Sequence, residues 1–251
     1  MNSNPKTFRI AINVAFGIAF NFSLMAQDIL STTDGDVTIN PVLHGSLVLQ
    51  WDDYTIFVDP YGGAELYEKF DDPHLILITD IHGDHWHEST IAGLTYQKAT
   101  FIVPKAVYDL MKEDMKTQSI VVANGEKTDF HSLEVEALPM YNLPETADSR
   151  HPKGRGNGYT LSVGGKKIYI SGDTEDIEEM RALDAIDVAF VCMNLPYTMS
   201  VEQAASAVNQ FKPAVVYPFH YRGKDGLADL DRFQMLVQEG IEVRIRDWYP
   251  H

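Results

Sequence analysis

The chain has 251 residues, 45% of them hydrophobic, and a formal net charge of −16. That is enough apolar material for one large domain or two small ones, so disorder is not the default. So acidic a surface repels phosphate backbones, which argues against a nucleic-acid partner, and gives no general attraction to anionic lipid; a single cysteine, Cys192, excludes an internal disulfide framework and a Cys-rich zinc site.

The N-terminus reads as an export signal. Lys6 and Arg9 precede an apolar stretch from Ile10 to Phe22, and small residues follow in Ser23-Leu24-Met25-Ala26. Cleavage after Ala26 fits this pattern and sends the mature chain, residues 27–251, to the periplasm or beyond. Asn13, Gly17 and Asn21 interrupt the apolar stretch and disfavour a stable membrane span.

The mature chain shows neither linker nor repeat. Val37 to Asn40, Ser46 to Gln50 and Thr55 to Asp59 read as strands, the last two joined by a turn at Trp51-Asp52-Asp53-Tyr54. Leu75 to Thr79 is a continuous apolar run, which suits a strand buried on both faces. A short helix follows from Ser89 to Gln97, a strand at Phe101 to Val103, a helix from Pro104 to Lys116, and a strand from Ser119 to Ala123. After Asn124-Gly125 come four more strands, at Lys127 to His131, Leu133 to Leu138, Tyr159 to Val163 and Lys167 to Ile170, with Gly164-Gly165 as a hairpin turn. Alternation then resumes. Helices are expected at Ile177 to Leu183, Ser200 to Phe211 and Leu227 to Glu239, the last closed by Gly240. Strands are expected at Asp187 to Val191, Val215 to Pro218 and Ile241 to Ile245. Two halves of similar rhythm predict two mixed sheets face to face, with helices on both outer faces. Polar loops then leave several buried strands along one edge, where sites in α/β architectures usually sit.

The segment Asp80-Ile81-His82-Gly83-Asp84-His85-Trp86-His87 puts five metal-capable side chains within eight residues, directly after a buried strand. Imidazole and carboxylate suit zinc and its first-row neighbours. Asp80 and His82 face the same way on extended backbone, and Gly83 lets the chain turn so that Asp84 and His85 aim at a second point. One short loop cannot surround two ions. Asp173, in Ser171-Gly172-Asp173-Thr174, and His220, in Tyr217-Pro218-Phe219-His220-Tyr221, also follow expected strands. Taken alone, the first is a turn residue and the second a packed core histidine.

Together these segments resemble the metallo-β-lactamase superfamily. Its motif is His-x-His-x-Asp-His, then a later His, a bridging Asp in Gly-Asp-Thr, and a final His. Asp80-Ile81-His82-Gly83-Asp84-His85 falls on the first motif, Asp173 on the bridging Asp, and His220 on the final His. Leu43-His44-Gly45-Ser46 and Phe57-Val58-Asp59-Pro60 are similar to the subgroup containing ascorbate-phosphate lactonase and N-acyl-phosphatidylethanolamine phospholipase D. The resemblance spans about Val37 to Arg246. It implies a four-layer αβ/βα sandwich and two divalent metal ions, zinc first and manganese or iron as alternatives. It further implies a metal-dependent hydrolase that uses metal-activated hydroxide on an ester, lactone or phosphodiester. A β-lactamase-like amide hydrolase and a degenerate metal-binding scaffold are the alternatives.

Two departures stand out. Asp80 takes a histidine position, adding a harder, negative ligand. The later histidine is not obvious either: its expected place holds Asn142, with His151 a few residues on, and the sequence leaves Asn142, His151 and neither open. The expected metal set is Asp80, His82, Asp84, His85, Asp173 and His220. Asp84 is expected to orient the nucleophile. His44 is read either as a donor to substrate or leaving group, or as a structural hydrogen bond. Lys153, Arg155 and Tyr221 are assigned to the substrate, with an exposed loop as the plain alternative for the two basic residues. His87 is read as a spare ligand or a solvated side chain. His74, His131 and His251 belong to no constellation, and Cys192 reads as a buried thiol. The expected partner is a small molecule, and a homo-oligomer is left open.

Overall fold

In the computed structural model, which describes residues 28–146 and 148–250, period-two burial sorts the strands into two seven-stranded sheets. The segment expected to be an export signal, residues 1–26, and His251 lie outside the described residues. The first sheet takes, in spatial order, β1 (Asp28–Thr32), β2 (Gly35–Leu43), β3 (Ser46–Trp51), β4 (Tyr54–Val58), β5 (Leu75–Leu77), β6 (Thr100–Val103) and β7 (Ser119–Val121). The second takes β8 (Lys127–Phe130), β9 (Leu133–Met140), β10 (Gly156–Val163), β11 (Lys166–Ile170), β12 (Val188–Cys192) and β13 (Val215–Phe219). Beyond β13, β14 (Arg222–Gly223) and β15 (Gly226–Leu227) form a small ribbon, and β16 (Glu242–Val243) completes the second sheet beside β13. Both sheets follow one plan. Each begins as an antiparallel meander, β1 to β4 and β8 to β11, and continues with parallel pairs.

Alternation then sorts the side chains. Leu47, Leu49, Ile56, Val58, Leu75 and Leu77 point into a core shared with Val135, Leu161 and Ile168 of the opposite sheet. Their neighbours Val48, Phe57, Ile76 and Phe101 point outward, under α1 (Glu88–Gly93), α2 (Lys105–Leu110) and α3 (Glu113–Lys116). The far face of the second sheet is covered by α4 (Glu178–Arg181), α5 (Val201–Phe211) and α6 (Leu230–Leu236), through residues such as Met180, Val208 and Phe233. This is the expected four-layer sandwich of the metallo-β-lactamase fold, with a parallel strand bundle buried on both faces.

Several element boundaries differ from the sequence reading. β1 was not expected; its side chains alternate between half-buried and exposed at the sheet edge, so it lacks an apolar signature. The helix expected from Pro104 to Lys116 breaks in two at Met111 and Lys112, whose backbones are extended, and Met111 is buried there. The last helix starts at Leu230 because Gly226–Leu227 belong to β15 and Asp229 caps it by accepting from the Arg232 N–H. It ends at Leu236, so Gly240 lies in a later turn and does not cap it. α5 is capped as expected: Ser200 and Gln203 form a reciprocal capping box, which satisfies two otherwise orphaned N–H groups.

The two sheets are stitched at the edge where the site forms. The Tyr159 hydroxyl donates to the Ile78 carbonyl at 2.8 Å, and the Asn157 N–H donates to the Thr79 carbonyl at 2.9 Å. Both acceptors belong to the segment leaving β5, so the start of β10 is held against the loop that carries Asp80.

Candidate metal centre

Six separate chain segments converge at this edge. Asp80 to His85 follow β5, Asp173 follows β11, and His220 follows β13, each at the C-terminal end of a buried parallel strand. His44 comes from the β2–β3 turn, Asp59 from the end of β4, and His151 from the β9–β10 connection. His44, Asp59 and His220 hold positive φ angles of 59°, 43° and 47°. Left-handed backbone at non-glycine residues is costly, and it persists where surrounding structure fixes it, often at functional sites. Gly172 (φ 60°) is required for a different reason: a Cβ there would lie 2.7 Å from Met140 Sδ and 3.0 Å from the Asn157 carbonyl. Gly83, by contrast, is not needed for the turn. His82 accepts from the N–H groups of His85 and Trp86, and Gly83 has no positive φ.

One cluster comprises His85, Asp173 and His220, all buried. His85 Nδ1 lies 2.8 Å from Asp59 Oδ2, a carboxylate further held by the Thr79 N–H and hydroxyl. Nδ1–H therefore donates to Asp59, and Nε2 faces the site. There Nε2 lies 3.3 Å from His220 Nε2 and 3.3 Å from Asp173 Oδ2. Burial opposes charge on His85, but Asp173 and Asp59 outweigh it and hold its pKa well above the usual histidine range. Burial likewise opposes charge on Asp173, and His220, His85 and His151 reverse the balance and hold it well below the usual carboxylate range. Asp173 is thus held in its charged, ligand-ready form, whereas His85 is held protonated, and a cation would have to displace its Nε2 proton.

The other cluster comprises Asp80, His82 and His151. His82 Nδ1 is 2.7 Å from Asp80 Oδ2, and His151 Nε2 is 3.9 Å from the same oxygen. Of the three outcomes left open at the later-histidine position, the structure places the His151 ring in the site. Asn142 stands behind it: its Oδ1 lies 2.8 Å from the His151 N–H and 3.1 Å from His151 Nδ1, so Nε2 is left facing inward. Asp173 lies between the clusters, with Oδ2 3.2 Å from His151 Nε2 and Oδ1 3.4 Å from His220 Nε2. Burial opposes charge on Asp80, but its contacts with His82, His85 and Arg155 hold the pKa below the usual carboxylate range.

Asp84 and His44 form the rim. Asp84 is 31% exposed, whereas Asp173 is 4% exposed, so Asp84 meets solvent while Asp173 forms the floor. His44 Nε2 lies 3.2 Å and His220 Nε2 3.4 Å from Asp84 Oδ2. Burial raises the Asp84 pKa, but these two histidines overcome it and leave the carboxyl well below its usual range. Burial lowers the pKa of His44, more than the Asp84 contact raises it.

Residues assigned to the substrate occupy other places. Arg155 forks onto Asp80, with Nε 3.2 Å from Oδ1 and Nη2 3.1 Å from Oδ2. Lys153 pairs with Glu179 at 2.8 Å and lies over the Tyr141 ring. The Tyr221 hydroxyl donates to the Arg246 carbonyl at 3.1 Å and accepts from the Trp248 N–H at 3.4 Å, so its polar end serves the C-terminal segment. His87 Nδ1 lies 2.6 Å from the Thr90 hydroxyl, His74 Nδ1 accepts from the Thr55 N–H, and His131 stacks on Tyr54. Cys192 is fully buried in β12. The sequence reading missed Asp59 as the partner of His85 and Tyr249 as the partner of His44.

The buried donors fit a cation. Among the described residues, five buried side-chain polar atoms lack a hydrogen bond of proper geometry, and three of them face this site: His82 Nδ1, His151 Nε2 and Asp173 Oδ1. Buried polar atoms are normally paired, so such a concentration calls for a ligand.

Comparison with known proteins agrees. The family described as "Beta-lactamase superfamily domain" matches residues 38–220. A relative from Pyrococcus furiosus, a UPF0173 metal-dependent hydrolase, is 32% identical over 204 residues, covering 76% of this chain and 88% of its own. A candidate metal-dependent hydrolase of known structure from Parabacteroides distasonis is 37% identical, with a TM-score of 0.78, covering 88% of this chain and 97% of its own. The metallo hydrolase Igni18 from Ignicoccus hospitalis is 25% identical, with a TM-score of 0.71, covering 84% and 95%.

Proposed function

We propose, from the premise that this chain belongs to the β-lactamase superfamily as a metal-dependent hydrolase, that it hydrolyses a small ester, lactone or phosphodiester at a centre of two divalent cations. The observation that carries this reading is the position of Asp173, with one oxygen facing His151 and His85 and the other facing His220. A carboxylate so placed serves two clusters at once. Asp80, His82 and His151 would hold one cation, and Asp84, His85 and His220 the other, with Asp173 shared. Cations bound there would supply Lewis acidity, lowering the pKa of water towards about 7 and polarising the substrate oxygen. Zinc suits the histidine-rich donors, and the carboxylate at Asp80 also admits manganese or iron.

The chain's own residues direct the rest. Asp84, at the rim, accepts a hydrogen bond from the attacking water and orients it. His44 presents its Nε2 side to the same space and donates to the oxygen on which charge develops or to the leaving group. Ester and lactone substrates are favoured within the proposal, because Lys153 and Arg155 are engaged by Glu179 and Asp80 and are not free to grip a phosphate. Export is part of the same reading, with residues 1–26 as a cleaved signal; N-terminal sequencing of the mature protein tests it.

The functional test is a screen of the metal-loaded protein on p-nitrophenyl esters, simple lactones and bis(p-nitrophenyl) phosphate. Turnover of one class that disappears in Asp84→Asn supports the proposal. A loaded, folded protein inert on all three contradicts it.

A further inference from the structure

Asp80 is a carboxylate in a set that already contains Asp84 and Asp173, and its side chain is wholly buried. An added negative charge in a dry site is costly unless it is paired. The pairing is visible. Arg155 immediately precedes β10, whose first residues are fixed to the loop after β5 by the Asn157 N–H to Thr79 carbonyl bond at 2.9 Å. From that anchored position Arg155 reaches both oxygens of Asp80, at 3.2 Å and 3.1 Å, and its Nη2 stands 3.4 Å from His82 Nε2. The arginine is 21% exposed, while the carboxylate it grips is 0% exposed. A two-point fork fixes the plane of a carboxylate as well as its charge.

We propose that Arg155 is a positioning residue of the metal centre: it is the charge partner that makes Asp80 usable as a ligand of the first cation position. The guanidinium cancels the extra negative charge, returning the donor set to the charge that a neutral histidine at position 80 would give. It also fixes the carboxylate plane, with Oδ2 towards His82 Nδ1 and His151 Nε2. Residues 80 and 155 therefore work only as a matched pair. A histidine at position 80 with Arg155 retained leaves an unpaired guanidinium beside a cation position and repels the cation.

This inference rests on the two-cation reading above, and its test separates the two. The full mature chain is stripped of metal and titrated with Co2+, with bound ions counted by absorbance and by plasma mass spectrometry. The parent is expected to bind two ions. Asp80→His is expected to keep the ion at His85 and His220 and to bind the other at least tenfold more weakly. Adding Arg155→Gln to Asp80→His is expected to restore that ion. Arg155→Lys, which keeps the charge but loses the fork, is a milder variant and is expected to weaken the first ion only. Equal affinity for both ions in the parent and Asp80→His, no recovery in the double variant, or an unchanged first ion in Arg155→Lys would each overturn the proposal. A parent chain that binds no ion fails the metal-centre reading itself, whereas two ions held irrespective of residues 80 and 155 fail only this inference.

Discussion

The Tyr249 hydroxyl lies 2.7 Å from Nδ1 of His44, and the same hydroxyl oxygen accepts the Arg222 N–H at 3.0 Å. With that N–H already donated to the oxygen, the tyrosine O–H is free to donate to Nδ1. The proton of His44 then resides on Nε2, aimed at Asp84 Oδ2 3.2 Å away. The His44 backbone is held on both sides as well, donating to the Trp248 carbonyl and accepting from the His220 N–H. The C-terminal segment thus sets the tautomer of a rim histidine.

Tyr249→Phe removes that constraint while keeping the ring. Loss of a partner that orients a metal-ligating residue typically costs 10–100-fold, and His44, outside the ligand set, is expected at the low end of that range. We expect about a tenfold fall in kcat with little change in KM. Nitrogen-15 shifts of His44 should move from the Nε2–H tautomer towards a mixture. Unchanged nitrogen shifts would refute the assignment.

Asp59 holds His85 as Tyr249 holds His44. Asp59→Asn keeps the shape but replaces a charged acceptor of the His85 Nδ1–H with a neutral one. Affinity for the cation at the His85 cluster is expected to fall 10–100-fold, with the ion at Asp80 retained. Competition against a chelator of known affinity reads both. Equal loss at both positions would mean that Asp59 acts on the fold and not on His85.

Metal removal should destabilise the protein in a pH-dependent way. A cation at 100 times its dissociation constant stabilises the folded state by about 2.7 kcal/mol. In the stripped protein, Asp173 and Asp59 overcome burial and raise the His85 pKa above its unfolded value. That contribution is fully present below the unfolded histidine pKa of about 6.5 and is lost as pH rises through the folded pKa. Cation binding has the opposite trend, because ligands must shed protons. The difference in Tm between loaded and stripped protein should therefore widen from pH 6 to 9. A constant or shrinking difference, measured by calorimetry, would count against the protonated His85.

Cys192 should be chemically inert in the folded state. Burial pushes its thiol up to about 11, and its side chain is fully enclosed in β12. Iodoacetamide is expected to label it only after denaturation. Rapid labelling of the native protein would show that β12 opens.

Much of this architecture was legible in the sequence because its causes are local. Continuous apolar runs announced β5, β12 and β13, and the residues just beyond two of them, Asp80 to His85 and His220, converge at the candidate centre. The paired halves were readable from rhythm alone. What escaped depends on contacts distant in the chain. Tyr249 meets His44 across 205 residues, and Asp59 meets His85 across 26. No spacing rule reports such pairs. Position 151 stayed open because Asn142 and His151 stand at either end of one connection, and only the fold shows that the amide carries the imidazole. Arg155 was read as a substrate contact because a basic residue in a Gly-rich loop has no visible partner until Asp80 is folded against it.

The most direct test of the account is the metal content of the purified mature chain, beside its Asp173→Ala variant, after loading with zinc, manganese or iron. Two ions per parent chain, falling to one or none in Asp173→Ala, is the predicted result. One ion per parent chain would confine the chemistry to a single cluster and contradict the shared role of Asp173, and no retained ion would contradict the metal centre altogether.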